Sequence, residues 1–530
     1  MLLHHTRRTF ALLAVLTGTC VGAQISPIID LGYAQYQGTV DTALNITNFL
    51  GIRYAAAPLG NLRFRAPQPP ANMTGVQQAT IEPNECFQAS DGVAATNPLR
   101  SRASQIIATE DCLFLNVHYP SDAAGTPIGN LPTIVWIHGG GYIAGAASSF
   151  NGEDLIRQSN HGIVTVIIQY RLGVFGFLPG AEVKKNGALN AGLLDQDFAL
   201  RWVNQHISKF GGDPSKVTIW GESAGAGSVL QQVVANNGQT KPQLFRAAMT
   251  SSTFLPSQYN FDDPIPEMLF SEVVKRTSCA AASDAMSCLR SADAATLQNA
   301  NSNINLAGFF GTFTLVPVVD GTFIRQRPTL SLLEGKVNGR ALLAVTNAFE
   351  GTVFVNQSIT STAAQYAFDL FPNLNRAQAA KAEALYNGLG TTIFQDSAIQ
   401  GESIFICPTY FLLHAFSGRS FKGEFAIPPA LHGADVAYYF PGGGTPPFNN
   451  ADFIKAFAQS FTSFAINLDP NIMVNPATIT PRWSLFNVGN TEMLFNETTA
   501  GAPDVRAIKT SNALLERCQF WDSVSASTAQ

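Results

Sequence analysis

Short apolar segments recur along the chain, and most of them lack strict alternation of polar and hydrophobic residues. The clearest examples cover residues 133–137, 163–170, 217–220 and 341–345. Such runs are typical of strands that are buried on both faces, because no position then contacts water. Helical patterns, such as residues 192–210 and 224–234, lie between them. We therefore predict an α/β fold, in which helices cover both faces of a large, twisted and mostly parallel sheet, with long helical insertions in the second half.

The composition is that of a large folded protein. Of its 530 residues, 46% are hydrophobic and only 13% are charged, which excludes a disordered or collagen-like chain. The formal net charge is -5 and the sequence contains no basic block, so we expect no nucleic-acid partner. Since no linker rich in Pro or Ser divides the chain, we predict one domain over residues 24–530.

The N-terminus has the pattern of a secretory signal peptide. Arg7 and Arg8 precede an apolar run over residues 10–16, and small residues at 21–23 form a cleavage site. A membrane anchor is the alternative, but this run is shorter than the ~20 residues that a membrane-spanning helix needs. We expect residues 1–23 to be removed, which eliminates two positive charges and leaves a secreted protein without a membrane span, of formal net charge -7.

The cysteines and the glycosylation signals fit an oxidising, extracellular compartment. Seven cysteines are present, and six remain after Cys20 leaves with the signal peptide. An even number predicts three disulfides, although six cysteines allow 15 pairings. No spacing typical of a zinc site occurs, so we expect no metal. Four Asn-x-Ser/Thr sequences are candidates for glycosylation, at Asn45, Asn72, Asn356 and Asn496.

The strongest chemical signal is Gly-Glu-Ser-Ala-Gly at residues 221–225, between a predicted strand and a predicted helix. In this context G-x-S-x-G forms a tight turn that exposes the serine hydroxyl at the end of the strand. The glycines permit the turn, and the helix N-terminus stabilises negative charge. Ser223 is therefore the predicted nucleophile. His-Gly-Gly-Gly at residues 138–141 is a candidate oxyanion-binding loop, with the N–H of Ala224 as a further donor.

A catalytic acid and a histidine must follow the serine if the fold is that of an α/β-hydrolase. Only His414 and His432 lie beyond Ser223. We favour His432, which precedes a glycine in a turn, because His414 lies in an apolar helical run where packing is the simpler role. For the acid we favour Glu350, just after the strand at 341–346.

Two other carboxylates lie near these motifs in the sequence. Asp435 is close to His432 but has the pattern of a helix cap. Glu222 lies directly beside the nucleophile and is better explained as a buried structural carboxylate. Both stay open as alternatives to Glu350 at this point.

The chain as a whole resembles the type-B carboxylesterase/lipase family, which includes cholinesterases and secreted fungal lipases. The resemblance covers nearly all of the sequence after residue 23 and rests on residues 49–58, 110–117, 138–142, 210–214, 221–225 and 316–321. It implies an α/β-hydrolase fold and a Ser-Glu-His triad that falls on Ser223, Glu350 and His432.

The resemblance also implies a mechanism and a set of disulfides. The N–H groups of Gly140, Gly141 and Ala224 would hold the oxyanion during acyl transfer to serine, and no cofactor would be needed. The implied disulfides are Cys86–Cys112, Cys279–Cys288 and Cys407–Cys518. Because some relatives keep the fold and have lost the nucleophile, a non-catalytic binding role is a further alternative, which the complete set of motifs disfavours.

The resemblance implies an ester substrate, of a small molecule or a lipid. The loop between Cys86 and Cys112 helps to distinguish these two kinds of ester. In the family this loop can act as a lid, and here its 25 residues include five charged side chains, few large apolar groups and no Trp. An interfacial lipase needs a longer flap with one apolar face, so we favour an esterase over a triacylglycerol or sterol-ester lipase. A choline ester is disfavoured because no indole is present in the loop to hold a quaternary ammonium.

The segment over residues 307–315 is a candidate wall of the acyl pocket. By family position Phe313 would line this pocket, and Gly311 stands where some members have a bulky residue. That gap would admit larger acyl groups, including aromatic hydroxycinnamates such as the feruloyl group. Core packing of the phenylalanines in this segment is the alternative.

Overall fold

The computed structural model describes residues 26–92, 108–358 and 361–530. The predicted signal peptide and the middle of the loop between Cys86 and Cys112 lie outside these ranges. The described strands are β1 (Ile28–Asp30), β2 (Gln35–Gln37), β3 (Thr39–Asp41), β4 (Ile46–Arg53), β5 (Val76–Gln78), β6 (Glu85–Cys86), β7 (Ala108–Thr109), β8 (Phe114–Pro120), β9 (Leu131–Ile137), β10 (Val164–Ile168), β11 (Gly212–Glu222), β12 (Ala247–Ser251), β13 (Ala341–Asn347), β14 (Ser420–Phe425), β15 (Thr491–Glu497) and β16 (Pro503–Lys509).

Helices connect most of these strands and are concentrated in the second half of the chain. They are α1 (Gly152–Gln158), α2 (Gly173–Phe177), α3 (Ala181–Asn186), α4 (Ala191–His206), α5 (Ala224–Val234), α6 (Pro264–Arg276), α7 (Ala285–Ser291), α8 (Ala294–Leu306), α9 (Pro328–Leu333), α10 (Ala363–Leu370), α11 (Arg376–Tyr386), α12 (Thr392–Gly401), α13 (Cys407–Ala415), α14 (Val436–Tyr439), α15 (Ala451–Asn467), α16 (Asn512–Ser523) and α17 (Ser525–Thr528). A π-helical segment, Glu402–Ile406, joins α12 to α13.

Eleven strands form one sheet, in the order β16-β15-β14-β13-β12-β11-β9-β10-β8-β4-β3. The seven consecutive strands from β15 to β10 are parallel, and the outer strands on both sides pair antiparallel. The predicted mostly parallel sheet is confirmed. The apolar segments of the sequence lie within β9, β11 and β13, and the helix predicted over residues 224–234 is α5.

Both faces of the sheet are covered, as the unbroken apolar strands predict. In β9, Val135 faces one hydrophobic core and Trp136 faces the other, and both side chains are fully buried. Val229 of α5 packs in the first core, whereas Phe457 of α15 packs in the second. Neighbouring residues on a strand point to opposite faces, so each strand contributes apolar side chains to both cores.

This topology determines where the functional loops meet. The parallel strands β9, β11, β12 and β13 are neighbours in the sheet, so their carboxyl ends lie along one edge. The loops that follow them begin at His138, Ser223, Ser252 and Ala348. In open α/β sheets, ligands bind outside the carboxyl ends of the strands, so this edge is where a site is expected.

The described part of the chain contains three disulfides and all four candidate glycosylation sites. The disulfides join the pairs implied by the family resemblance, Cys86–Cys112, Cys279–Cys288 and Cys407–Cys518. Asn45, Asn72 and Asn356 are exposed, whereas Asn496 is half-buried in β15.

Candidate active site

Ser223 lies at the sharp turn between β11 and α5, and its backbone is in an unfavourable conformation. Its φ is 56° and its ψ is -125°, which the surrounding structure must hold in place. Glycines make the turn possible by letting backbones approach. A Cβ on Gly225 would lie 2.0 Å from the carbonyl oxygen of Ile137, and one on Gly221 would lie 2.4 Å from the carbonyl carbon of Gly225.

Glu350 and His432 are joined by a short hydrogen bond. Nδ1 of His432 donates to Oε2 of Glu350 at 2.6 Å. The other carboxylate oxygen of Glu350 accepts from the hydroxyl of Ser252 and from the backbone N–H of Asn347, each at 2.6 Å. Glu350 is only 1% exposed, so these three donors replace the water that the carboxylate loses.

The hydrogen bond from Nδ1 leaves the second ring nitrogen of His432 directed toward the turn at Ser223. Nε2 has no hydrogen-bond partner in the described part of the chain and lies 3.3 Å from Oε1 of Glu222, the residue before Ser223. The ring packs against Phe405 and Phe354, with centroid distances of 4.4 and 5.0 Å. These contacts fix the plane of the imidazole beside the turn.

Three carboxylates determine the protonation of this histidine. Burial lowers the pKa of His432, but the nearby Glu350, Glu222 and Asp435 outweigh burial and raise that pKa above its usual value of 6.5. Burial is also the main reason why the pKa of Glu222 is raised to about 8.

The His-Gly-Gly-Gly loop lies directly against the nucleophile turn. A Cβ on Gly139 would be 3.0 Å from the Cβ of Ser223. Gly140 and Gly141 have φ values of 101° and 63°, and their N–H groups have no acceptor among the residues described. Ala224 is the first residue of α5, where N–H groups have no partner within the helix. All three are donors available to a ligand.

Four phenylalanines, Phe254, Phe313, Phe354 and Phe405, form an aromatic cluster beside these donors. The ring of Phe313 packs on Gly141, where a Cβ would come within 2.1 Å of it. Phe313 contacts Phe254 and Phe354 edge-on at 5.5 and 6.1 Å, and Phe405 contacts the same two rings at 5.4 and 5.3 Å.

The structure contradicts the expectation that Gly311 opens space for a larger acyl group. Gly311 has a φ of 69°, and a Cβ there would lie 2.1 Å from the carbonyl oxygen of Phe354. The backbone of residue 354 therefore fills the position that a side chain would take. Glycine is needed here for the close approach of two backbones, and its presence carries no information about substrate size.

The alternatives weighed for the base and the acid have other environments. His414 lies on α13 and packs on Phe486, as a helix residue should, but it is exposed. Asp435 occupies the N-cap position of α14, yet its side chain caps nothing. It is fully buried and accepts hydrogen bonds from Asn347 and Tyr439 instead.

Several residues of this site were not predicted from the sequence. Ser252 and Asn347 support Glu350, and the position of Ser252 directly after a buried strand was a usable signal. Phe254, Phe354 and Phe405 come from three separate segments, and each is an ordinary apolar residue in its own sequence context. Only the fold brings these phenylalanines together.

The loop between Cys86 and Cys112 begins over the site. The N–H of Ala89 donates to the carbonyl of Ile143, and the N–H of Gly92 donates to that of Thr312. The loop therefore starts against the glycine-rich segment and the segment of Phe313. Residues 93–107, on which the argument about a lid depends, lie outside the described ranges.

Comparison with known proteins identifies the family. The model of the carboxylesterase family matches residues 26–521, almost the whole chain. The chain belongs to the carboxylesterase family. It is 34% identical to Lipase 4 of Diutina rugosa, with 87% of this chain and 90% of that one aligned. It is 35% identical to Secreted lipase 1 of Botryotinia fuckeliana, over 62% of this chain and 60% of the relative.

Solved structures agree with this assignment. The crystal structure of Aspergillus niger EstA superimposes with a TM-score of 0.84 and 30% identity, covering 95% of this chain and 99% of the other. The fold is thus that of the α/β-hydrolases, and the protein is a carboxylic ester hydrolase. Among the described residues, no helix combines the length and apolar character that crossing a membrane requires.

Proposed function

We propose that this carboxylesterase is a secreted enzyme that uses Ser223 as nucleophile, His432 as general base and Glu350 as the carboxylate that orients the base. The observation that carries the proposal is the 2.6 Å hydrogen bond between His432 and Glu350 beside the strained turn at Ser223. A carboxylate on Nδ1 keeps the proton there and leaves Nε2 as the acceptor for the serine proton.

In the first half of the reaction, Nε2 of His432 takes the proton of Ser223 while the serine oxygen attacks the ester carbonyl. The N–H groups of Gly140, Gly141 and Ala224 stabilise the negative charge that forms on the carbonyl oxygen. The tetrahedral intermediate then expels the alcohol, which receives the proton from His432. Ser223 is left as an acyl ester.

In the second half, water replaces the alcohol as the attacking group. His432 removes a proton from water, and the resulting tetrahedral intermediate releases the carboxylic acid and returns the proton to Ser223. Glu350 remains charged throughout and stabilises the imidazolium that forms twice in each cycle. Nothing in this cycle needs a cofactor.

We propose an esterase that acts on soluble esters with a compact acyl group. The aromatic cluster supports this, because its four rings pack on one another and on Gly141, leaving flat apolar walls close to the oxyanion donors. Flat walls of this kind suit acetyl, short-chain and single-ring aromatic acyl groups. Secretion is supported by the pattern of residues 1–23 and by the similarity to Secreted lipase 1.

A Ser223→Ala variant tests the proposal. We expect it to fold normally and to lose about 10⁵-fold or more of its turnover, because a triad without its nucleophile retains only transition-state binding. Hydrolysis of p-nitrophenyl acetate measures the loss, and Ser271→Ala, at an exposed serine on α6, is the matched control. Wild-type activity in Ser223→Ala would contradict the proposal.

An interfacial lipase is the second candidate, and the names of the two fungal relatives favour it. A series of esters from short to long acyl chains, assayed across each solubility limit, distinguishes the candidates. We expect smooth saturation and the best rates with soluble esters. An abrupt rise in rate when droplets form would identify a lipase instead.

A further inference from the structure

The aromatic cluster depends on two segments of the chain that meet beside the active site. Phe254 lies in the loop after β12, and Phe405 lies in the π-helical segment Glu402–Ile406. The centroids of these two rings are 5.4 Å apart. One backbone hydrogen bond joins the segments directly, from the N–H of Leu255 to the carbonyl of Ile404 at 2.9 Å. The separation of the two rings therefore depends on how firmly the two backbones are held together.

The π-helical segment leaves one of its own carbonyls without a donor in the helix. The N–H of Cys407 donates to the carbonyl of Glu402, five residues before it, which is the register of a π-helix. In that register the carbonyl of Ser403 would accept from residue 408, but Pro408 has no N–H. Ser403 is only 1% exposed, so its carbonyl needs a donor from another part of the chain.

The side chain of Gln530 supplies that donor. Its Nε2 atom donates to the carbonyl of Ser403 at 2.9 Å and to the carbonyl of Leu255 at 2.6 Å. An amide nitrogen carries two hydrogens, so one is used on each segment. Gln530 is only 2% exposed, which protects both hydrogen bonds from competition with water. The amide thus connects the residue after Phe254 with the residue two positions before Phe405.

This connection is anchored on both sides. The backbone carbonyl of Gln530 accepts from the hydroxyl of Thr329 and from Nη1 of Arg327, so the start of α9 holds Gln530 in place. The π-helical segment is held at its first residue, because Arg517 on α16 donates twice to the carboxylate of Glu402, each time at 2.7 Å. The amide therefore restrains the two segments instead of following their motion.

We propose that Gln530 is a positioning residue that sets which acyl groups the enzyme accepts. It joins the carbonyls of Leu255 and Ser403 and so holds their segments together. The rings of Phe254 and Phe405 then stay in contact, which keeps the acyl side of the site narrow. Without the amide, both buried carbonyls lose this donor, and the segments can move apart to admit water. This inference rests on the proposed function, because it places the acyl group of the substrate against the aromatic cluster.

Gln530→Met tests this role, because methionine has nearly the same length and volume as glutamine but no side-chain N–H. We compare kcat/KM for p-nitrophenyl benzoate with that for p-nitrophenyl acetate. We expect this benzoate-to-acetate ratio to rise at least about threefold over wild type, since a wider site favours the bulkier acyl group. Gln519→Met, at an exposed position on α16, is the matched control and should leave the ratio unchanged.

Gln530→Asn gives a graded comparison and tests the role even if Gln530→Met does not fold. Its amide is one methylene shorter and cannot reach both carbonyls, so its benzoate-to-acetate ratio should lie between those of wild type and Gln530→Met. Hydrogen exchange followed by mass spectrometry tests the connection without any assay of activity. We expect peptides that cover residues 252–258 and 403–409 to exchange faster in Gln530→Met than in Gln519→Met.

Two results would overturn the proposed role. One is a benzoate-to-acetate ratio that is unchanged or lower in both Gln530 variants, because a merely structural role slows the hydrolysis of all esters in parallel. The other is equal hydrogen exchange in Gln530→Met and Gln519→Met. Failure of the proposed function is recognised separately, since wild type would then acquire no label on Ser223 from diethyl p-nitrophenyl phosphate. The exchange measurement is valid in either case.

Discussion

Glu350 is held by three donors, and this arrangement fixes the geometry of His432, the proposed base. Ser252 and Asn347 engage one carboxylate oxygen and His432 engages the other. The carboxylate therefore has one orientation, and the imidazole bonded to it has one tautomer. At Ser223 the backbone is held in a conformation that few residues adopt. The folded structure thus holds Glu350, His432 and Ser223 in fixed orientations that the side chains and backbone would not keep by themselves.

The protonation of His432 leads to a pH prediction. In the proposed mechanism His432 must be neutral to accept the serine proton, and neighbouring carboxylates raise the pKa of His432 above 6.5. A raised pKa means that the imidazole is already protonated at a higher pH, so activity is lost earlier on acidification. We expect kcat/KM for p-nitrophenyl acetate to fall through an apparent pKa above 6.5. A decline of kcat/KM centred below pH 6.5 would show that the effect of burial on the pKa of His432 outweighs that of the carboxylates.

Neighbouring parallel strands bring the residues of the site together. Ser223, Ser252 and Glu350 each follow the carboxyl end of a strand, and β11, β12 and β13 are consecutive in the sheet. About 30 residues separate Ser223 from Ser252 in the sequence, and about 100 separate Ser252 from Glu350. The three lie close together in space because adjacent strands are only ~5 Å apart. The turn at Ser223 also begins α5, which adds a helix N-terminus to the same place.

The sheet and the two glycine-containing loops could be predicted from the sequence. Unbroken apolar strands gave the sheet and its two covered faces, and the glycine motifs identified the loops at residues 138–141 and 221–225, because backbone geometry demands glycine there. The environment of Asp435 and the contact of Gly311 with residue 354 could not be predicted. Each depends on which distant segment of the chain packs against Asp435 or Gly311, and the local sequence does not contain that information.

The wall formed by Phe313 gives a prediction about selectivity. Phe313→Ala removes the ring that packs on Gly141 and opens space beside the proposed oxyanion donors. We expect kcat/KM for p-nitrophenyl octanoate or benzoate to rise at least about fivefold relative to acetate, on the order of 1 kcal/mol of differential transition-state binding. Parallel changes for all esters would mean that Phe313 has only a packing role.

At the scale of the whole molecule, a long-range cross-link secures the second half of the chain. The disulfide Cys407–Cys518 connects α13 to α16 and closes a sequence separation of 111 residues. These helices flank the π-helical segment that packs on His432, and α16 also carries Arg517. The disulfide Cys279–Cys288 closes a separation of only 9 residues. The two cross-links therefore restrict the unfolded chain to different degrees.

Removal of each disulfide should reveal this difference. From loop-closure entropy, the double variant Cys407→Ala/Cys518→Ala should lose about 5 kcal/mol in free energy of unfolding. The matched variant Cys279→Ala/Cys288→Ala should lose about 3 kcal/mol by the same relation. Equilibrium urea denaturation of the oxidised proteins measures both. A larger loss from the short loop would show that native contacts, not chain entropy, dominate.

Covalent labelling of Ser223 is the measurement on which the proposed triad most depends. We would treat the enzyme with one equivalent of diethyl p-nitrophenyl phosphate and locate the modification by peptide mass spectrometry. We expect one diethylphosphoryl group per chain, on Ser223, with loss of ester hydrolysis in proportion to labelling. His432→Ala should react far more slowly because its serine keeps its proton. A label on another residue, or full activity with Ser223 modified, would contradict the proposed triad.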